Sequence, residues 1–175
     1  MEFTKKELYD LINRPGQLWL VGADLKEANL SGANLGGANL YSANLTRADL
    51  RWAVLENATL NAANLDEADL REALLGAAKL IGAQLRGANL KRADLGSANL
   101  RTADLTHADL EYTNLTGTDL KEADLSGANL SEANLGAVSY TSEPDFKGAK
   151  YTKNTIWPIG FDPEKAGAIL VFSNE

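Results

Sequence analysis

Residues 28–45 read ANLSGANLGGANLYSANL, in which the trio Ala-Asn-Leu returns every five residues. The same unit, Ala-(Asn or Asp)-Leu-x-x, continues in both directions. Leucine occupies every fifth position from Leu25 to Leu135, 23 leucines in all, and alanine stands two residues before each of them except at Thr113 and Thr118. A repeat this regular specifies architecture, so the fold can be argued before the function.

Neither an α-helix nor a straight strand can bury a leucine at every fifth position. On a helix, five residues advance by about 500°, or about 140° net, which scatters the leucines around the cylinder. In a straight strand, side chains alternate between two faces, so steps of five put successive leucines on opposite sides. The chain must therefore change direction within each unit.

A square coil satisfies the pattern. The alanine and leucine of one unit lie two residues apart, so a short strand points both the same way. If a corner follows each leucine, four units close a coil in about twenty residues, and coils stack about 4.8 Å apart in a parallel ladder. About six coils give a rod of about 29 Å. One coil alone cannot be stable, because its stability depends on stacking against neighbours.

The tandem units Ala28-Asn29-Leu30-Ser31-Gly32 and Ala33-Asn34-Leu35 resemble those of the pentapeptide-repeat proteins. This resemblance implies an all-β solenoid, a right-handed quadrilateral parallel β-helix, and the handedness rests on the resemblance alone. Residues 160–168 also resemble the C-terminal ends of some cyanobacterial members. The family is functionally mixed, so the resemblance implies a fold and no particular activity.

One structural domain is expected, with a cap at each end of the β-helix. Residues 1–17 form a helical cap, since Thr4 and Glu7 match a capping box. Residues 18–140 form the β-helix. Its regular coils end near Leu135, and a last, degraded unit has Tyr140 at the position that leucine takes in the repeat. Residues 141–175 form an aromatic C-terminal cap, in which Asp162-Pro163-Glu164 predicts a short helix through residues 165–168. Partner docking by the first cap and a ligand loop in the second are the alternatives.

Composition narrows the functional classes. The chain has no cysteine, which excludes disulfides, thiolate metal sites and a cysteine nucleophile. Its net charge is −7, with the acidic excess spread over the repeats among interleaved bases. Direct nucleic-acid binding would favour a basic stripe, so none is expected. No apolar signal core or run of about 18 apolar residues occurs, which predicts a soluble cytoplasmic protein without membrane contact.

Residues twenty apart should stack, so the surface can be described as columns. The corner after Leu50, Leu70 and Leu90 carries Arg51, Arg71 and Lys91, flanked by Trp52, Arg92 and Tyr112; we call these six residues the basic–aromatic corner. It could bind an anion or a partner protein. In the alternative interpretation the tryptophan ring and the arginine side chains pack against one another, and Asp49, Asp69 and Glu72 neutralise the charges.

A second surface lies beside it. Val54 and Leu74 stand one coil apart where Asn or Asp is expected, and we call them the apolar strip. The next corner, the smooth corner, has almost no side chains: Gly36-Gly37, Glu56-Asn57, Gly76-Ala77, Gly96-Ser97, Thr116-Gly117 and Gly136-Ala137. This face suits contact with another protein or another copy of the rod. Simple drift of the repeat is the alternative.

No catalytic or metal-binding set can be recognised. His107 is the only histidine, and its column neighbours are Gly87 and Gly127. The acidic residues Asp66, Glu67, Asp69 and Glu72 should fall on two different sides of the coil. We therefore expect no enzymatic activity, no metal and no cofactor.

The leading hypothesis is a non-enzymatic scaffold that presents fixed columns to an unidentified protein partner. The alternative is mimicry of duplex DNA to occupy a type II topoisomerase such as gyrase, as some members of the resembled family do. Three features depart from that pattern: the basic corner, leucine where those relatives often use phenylalanine, and ends that look capped. A small-molecule or enzymatic role ranks third. A monomer is favoured, with a dimer left open.

Overall fold

The computed structural model describes residues 10, 17–138 and 144–172. The predicted N-terminal capping helix and the predicted place of Tyr140 therefore lie outside the described residues, apart from Asp10. The described residues include two strands, β1 (Lys150–Tyr151) and β2 (Ile169–Leu170), which pair in parallel. The remaining ladder consists of single bridges.

The bridges confirm the twenty-residue coil. The middle residue of each unit pairs in parallel with the residue twenty positions on, from Trp19↔Asn39 to Asn114↔Asn134. Hydrogen bonds on both sides of each bridge join the coils, as in Leu30 N–H to Asp49 C=O (2.8 Å) and Asp49 N–H to Ala28 C=O (2.9 Å). Each coil thus has a hydrogen-bonded neighbour, as a solenoid requires.

The leucines and alanines of the repeat fill the interior, as predicted. The leucines from Leu25 to Leu135 are at most 2% exposed. Each contributes roughly 1.5–3 kcal/mol by leaving water. Thr113 and Thr118 occupy the alanine place, fully buried, and their hydroxyls donate to the carbonyls of Leu90 (2.7 Å) and Leu115 (2.8 Å).

The corners are tight turns closed by a hydrogen bond from the alanine N–H to the preceding leucine C=O, such as Ala53 to Leu50 (3.1 Å). The second corner residue has positive φ, and 17 described non-glycine residues adopt this conformation. The Asn or Asp in the middle of a side accepts a hydrogen bond from the first corner N–H, as Asp49 does from Arg51 (3.2 Å). This contact explains the Asn/Asp preference, because only a short side chain with an oxygen reaches that N–H.

The ladder continues past the predicted end of the coils near Leu135. Asp124 pairs with Asp145, Asn129 with Lys150 and Asn134 with Ile156, at intervals of 21, 21 and 22 residues. The second residue of each pair is followed directly by an aromatic residue, at the position that leucine takes in the repeat: Phe146, Tyr151 and Trp157. One extra residue between Leu135 and Asp145 and another between Tyr151 and Ile156 therefore shift the register without ending the stack.

Aromatic side chains close this end of the rod. Trp157 stacks on Phe161 with ring centroids 5.0 Å apart, and Phe146 meets both rings edge-on at 5.3 Å. The predicted short helix through residues 165–168 is wrong, because residues 163–167 form a turn. Asp162 still accepts from the Lys165 N–H (3.1 Å), but Gly167, with φ of +84°, ends the turn at once. In the described part of the chain, no helix has the length and apolar composition needed to cross a membrane.

Candidate functional site

The structure places the basic–aromatic corner and the apolar strip side by side, as the twenty-residue coil requires. Trp52 is the last residue of one corner. Val54, two residues later, is the outward-facing middle residue of the adjoining side. Val54 pairs with Leu74, and Leu74 with Asp94. All eight residues predicted to contact a partner therefore belong to one corner and the side that follows it: Arg51, Trp52, Val54, Arg71, Leu74, Lys91, Arg92 and Tyr112.

Carboxylates neutralise the three stacked cations. Arg51 donates from Nε and Nη2 to Asp49 (2.8 and 2.7 Å) and lies 3.7 Å from Asp69. Arg71 makes the same two-pronged contact with Asp69 (2.8 and 2.6 Å). Such bidentate pairs are the strongest form of this contact. The alternative interpretation of the corner is thus partly correct, since two of the three acids it named pair as expected.

Lys91 is held by a different coil. Its Nζ lies 2.7 Å from Glu111 and 3.3 Å from Asp109, both one coil further along. The sequence interpretation missed Glu111 because it considered only acids on earlier coils. The corner is therefore not a free basic stripe.

The pKa shifts follow these contacts. The hydrogen bonds from Arg51 hold the pKa of Asp49 below its usual value. Burial raises the pKa of Asp69, but the bonds from Arg71 outweigh it and the net pKa is lowered. The bond to Glu111 raises the pKa of Lys91. These shifts favour the charged forms of Asp49, Asp69 and Lys91.

Two charges at the same corner stay outside these pairs. Glu72, expected to neutralise the cations, makes no ion pair in the described part of the chain. Arg92 likewise forms no ion pair with a carboxylate of the described residues. Its guanidinium lies over the Tyr112 ring, 5.5 Å from the centroid. Both side chains are exposed and stand one coil apart.

Aromatic and apolar side chains complete the surface. Arg51 lies over Trp52, 5.2 Å from the ring centroid. Trp52 and Tyr112 are each 52% exposed and Leu74 is 42% exposed, whereas Val54 is half-buried. An open groove of about 280 Å³ runs across three coils here, lined by Arg71, Glu72, Lys91, Arg92, Glu111 and Tyr112.

The other residues considered for chemistry do not assemble into a site. Asp66 pairs with Arg86 (3.6 Å) and Glu67 with Arg47 (2.8 Å), away from Asp69. His107 is exposed, with its ring over Gly127. Within residues 17–138 and 144–172, no group of three or more His, Cys, Asp or Glu is placed to hold a metal ion.

Comparison with known proteins identifies the repeat. The family model for pentapeptide repeats matches eight copies, over residues 20–57, 68–106 and 98–136. The chain belongs to the pentapeptide-repeat family. Right-handed coiling, which the resemblance implied, is the form that this family's solved structures take. None of the curated proteins matches the chain significantly.

Several solved structures are similar to this pentapeptide-repeat protein. HetL, a pentapeptide-repeat protein involved in heterocyst differentiation regulation in the cyanobacterium Nostoc sp. PCC 7120, is 29% identical, with a TM-score of 0.56 and 87% of this chain and 80% of HetL covered. The Nostoc protein alr5209 is 31% identical over 79% of this chain and 84% of its own, with a TM-score of 0.36. QnrB1, a plasmid-mediated fluoroquinolone resistance protein, is 21% identical over 85% and 77%, with a TM-score of 0.43.

Proposed function

We propose that this protein is a non-enzymatic scaffold, and that its basic–aromatic corner and apolar strip bind a protein partner. The observation that carries the proposal is the position of Trp52, Val54 and Leu74 on one continuous surface in the middle of the rod. Exposed aromatic and aliphatic residues with an arginine nearby are typical of interface centres.

Backbone conformation supports a binding role for the aromatic residues. Trp52 and Tyr112 have φ of +57° and +58°, a conformation that glycine adopts at lower cost. Gly32, one coil before Trp52 in the same column, shows that glycine fits this place. Stability alone therefore does not favour bulky side chains there, and selection for binding would.

The apolar strip supports the same role. Nineteen described middle positions hold Asn or Asp oxygens that cap a corner N–H, whereas Val54 and Leu74 give up this hydrogen bond. They place apolar surface in solvent instead. A partner that covers Leu74 would recover the energy of that exposed surface.

Affinity capture from a host lysate tests the proposal. The bait is the native chain or the variants Trp52→Ala and Leu74→Asn, with Tyr41→Ala as a matched control, because Tyr41 is a similarly exposed aromatic on another side (48%). A lysate from cells lacking this chain prevents self-capture. The proposal predicts a protein retained by the native chain and Tyr41→Ala but lost from the other two; equal retention by all four would reject this surface as a binding site for another protein.

A further inference from the structure

The second corner positions of four successive coils form a column with internal symmetry. From N to C it reads Trp52, Glu72, Arg92, Tyr112: aromatic, acid, base, aromatic. The bridges Val54↔Leu74, Leu74↔Asp94 and Asp94↔Asn114 hold these coils in register. Read in reverse, the column keeps its aromatic ends and exchanges the two charges at its centre. Such a column is complementary to an inverted copy of itself.

The two central charges are free to meet an outside partner. Among the described residues Glu72 has no side-chain partner, and the Arg92 guanidinium forms no ion pair and lies over the Tyr112 ring, 5.5 Å from its centroid. In the neighbouring column, by contrast, Arg51, Arg71 and Lys91 are already paired with acids of their own chain. The unmatched pair lies at the centre of the column.

We propose that a second copy of this chain docks on the corner in antiparallel orientation, about a two-fold axis that crosses the column between Glu72 and Arg92. The axis lies in the interface, perpendicular to the rod. It reverses the rod direction and places each column against itself, so Glu72 meets Arg92 of the second copy twice. The inference rests on the proposed binding role of this surface and adds a second copy of the chain as an occupant.

The flanking positions are compatible with this operation. Trp52 faces Tyr112 of the second copy, and Arg51 faces Glu111. Leu74 and Val54 face Asp94 and Asn114, whose side chains already hydrogen-bond to each other (2.8 Å). On the smooth corner, Gly76 faces Gly96, which allows close approach. The like-charged contact, Arg71 with Lys91, joins two cations that each carry an acid of their own.

A parallel arrangement lacks this charge match. In a parallel dimer the two-fold axis runs parallel to the rod, so each coil stays level with its counterpart. The column of Trp52, Glu72, Arg92 and Tyr112 then lies against the smooth corner of the second copy. Glu72 would then face Gly76, and Arg92 would face Gly96. Both charges would stay unpaired, so charge complementarity selects the antiparallel form.

The contact is small, which defines the kind of dimer expected. A side of the rod about 29 Å long and about 10 Å wide buries roughly 600 Å² over both copies, below the roughly 1,200 Å² of a stable complex. Exposed charge pairs are screened by salt. The dimer is therefore weak, concentration-dependent and favoured at low ionic strength.

Analytical ultracentrifugation of the full chain over a concentration series tests the proposal by charge exchange. Glu72→Arg and Arg92→Glu should each weaken self-association by about tenfold or more, and the double variant, with the native net charge, should restore it. Lys79→Glu, the matched control for Arg92→Glu on another side, should leave it unchanged. Salt at about 500 mM should dissociate the native dimer.

A native chain that stays monomeric at millimolar concentration, or a double variant that fails to recover, would overturn the dimer. The capture experiment uses a lysate free of this chain, so its outcome is independent. Surface-dependent capture by a monomeric native chain would reject the dimer and leave the scaffold proposal standing. Failure of both experiments would remove this surface from consideration.

Discussion

The imidazole ring of His107 lies over Gly127, one coil further along the same column. A Cβ added to Gly127 would lie 2.5 Å from the His107 Nδ1 atom. His107, which the sequence assigns to no catalytic or metal-binding set, thus covers a glycine whose φ is +68°.

We predict that Gly127→Ala destabilises the protein by about 1–2 kcal/mol, because alanine disfavours positive φ and its methyl displaces the ring. Gly32→Ala is the matched control, with φ of +66° and nothing within 4 Å of an added Cβ. Gly32→Ala should lower the free energy of unfolding by less than Gly127→Ala does. Urea unfolding measures both, and in a His107→Ala background the difference between them should disappear. A difference that persists there would contradict the ring contact.

Leu74 and Leu75 are neighbours that face opposite ways. Leu75→Ala should cost about 2–5 kcal/mol, because it leaves a cavity in a core where Leu75 is 0% exposed. Leu74→Ala should cost less than about 0.5 kcal/mol, as surface changes usually do. Denaturant unfolding of the two variants compares them directly. Similar losses would mean that Leu74 packs into the fold.

Leu74→Asn should be as stable as the native chain, within about 1 kcal/mol. The new side-chain oxygen can accept from the Gly76 N–H, as Asp94 does from Gly96 (2.9 Å), and offset the lost apolar contact. Leu74→Gln is the control, since Gln84, at the equivalent place, does not make this corner bond. Thermal unfolding should rank Asn above Gln; the reverse order would argue against the capping role.

Asp49→Asn should reduce stability at neutral pH and lose this effect in acid. The pKa of Asp49 is lowered by Arg51 in the folded state. Its charged form therefore stabilises the fold above the unfolded pKa, and this contribution is lost as pH falls through the folded pKa. Unfolding from pH 7 downward measures it. Asp124→Asn controls for the corner hydrogen bond, which Asp124 also accepts (2.9 Å). A pH-independent Asp49→Asn effect would exclude the ion pair as its cause.

We expect no inhibition of DNA gyrase supercoiling by the purified chain and no protection from quinolones. A DNA mimic requires continuous negative potential, and the cations at positions 51, 71 and 91 interrupt it even though acids balance them. A supercoiling assay with increasing protein measures this. Inhibition at stoichiometric concentrations would favour the topoisomerase alternative over the scaffold.

The sequence was sufficient to predict the architecture because one period determined it. Leucine spacing predicted the buried axis, and counting by twenty predicted that Val54 would stack on Leu74. The partners of charged side chains could not be predicted in the same way. Lys91 pairs with acids on a later coil, and Glu72 forms no ion pair among the described residues, because side-chain rotamers decide among several charged groups at similar distances.

The C-terminal end shows a second limit. The period predicted an end near Leu135, yet Asp145 and Ile156 continue the ladder at intervals of 21 and 22 residues. A counting rule cannot detect coils that absorb inserted residues at corners. The aromatic residues were recognised as closing the rod, but their place in further ladder positions was not.

The twenty-residue bridge spacing makes the chain modular in a specific numerical sense. Duplication of twenty residues would lengthen the rod and leave every downstream side chain on its original face. Insertion of five residues would keep each leucine buried and yet turn all later side chains by a quarter of the circumference. A small genetic event could therefore exchange the partner-facing surface of this protein for a new one without disturbing its core.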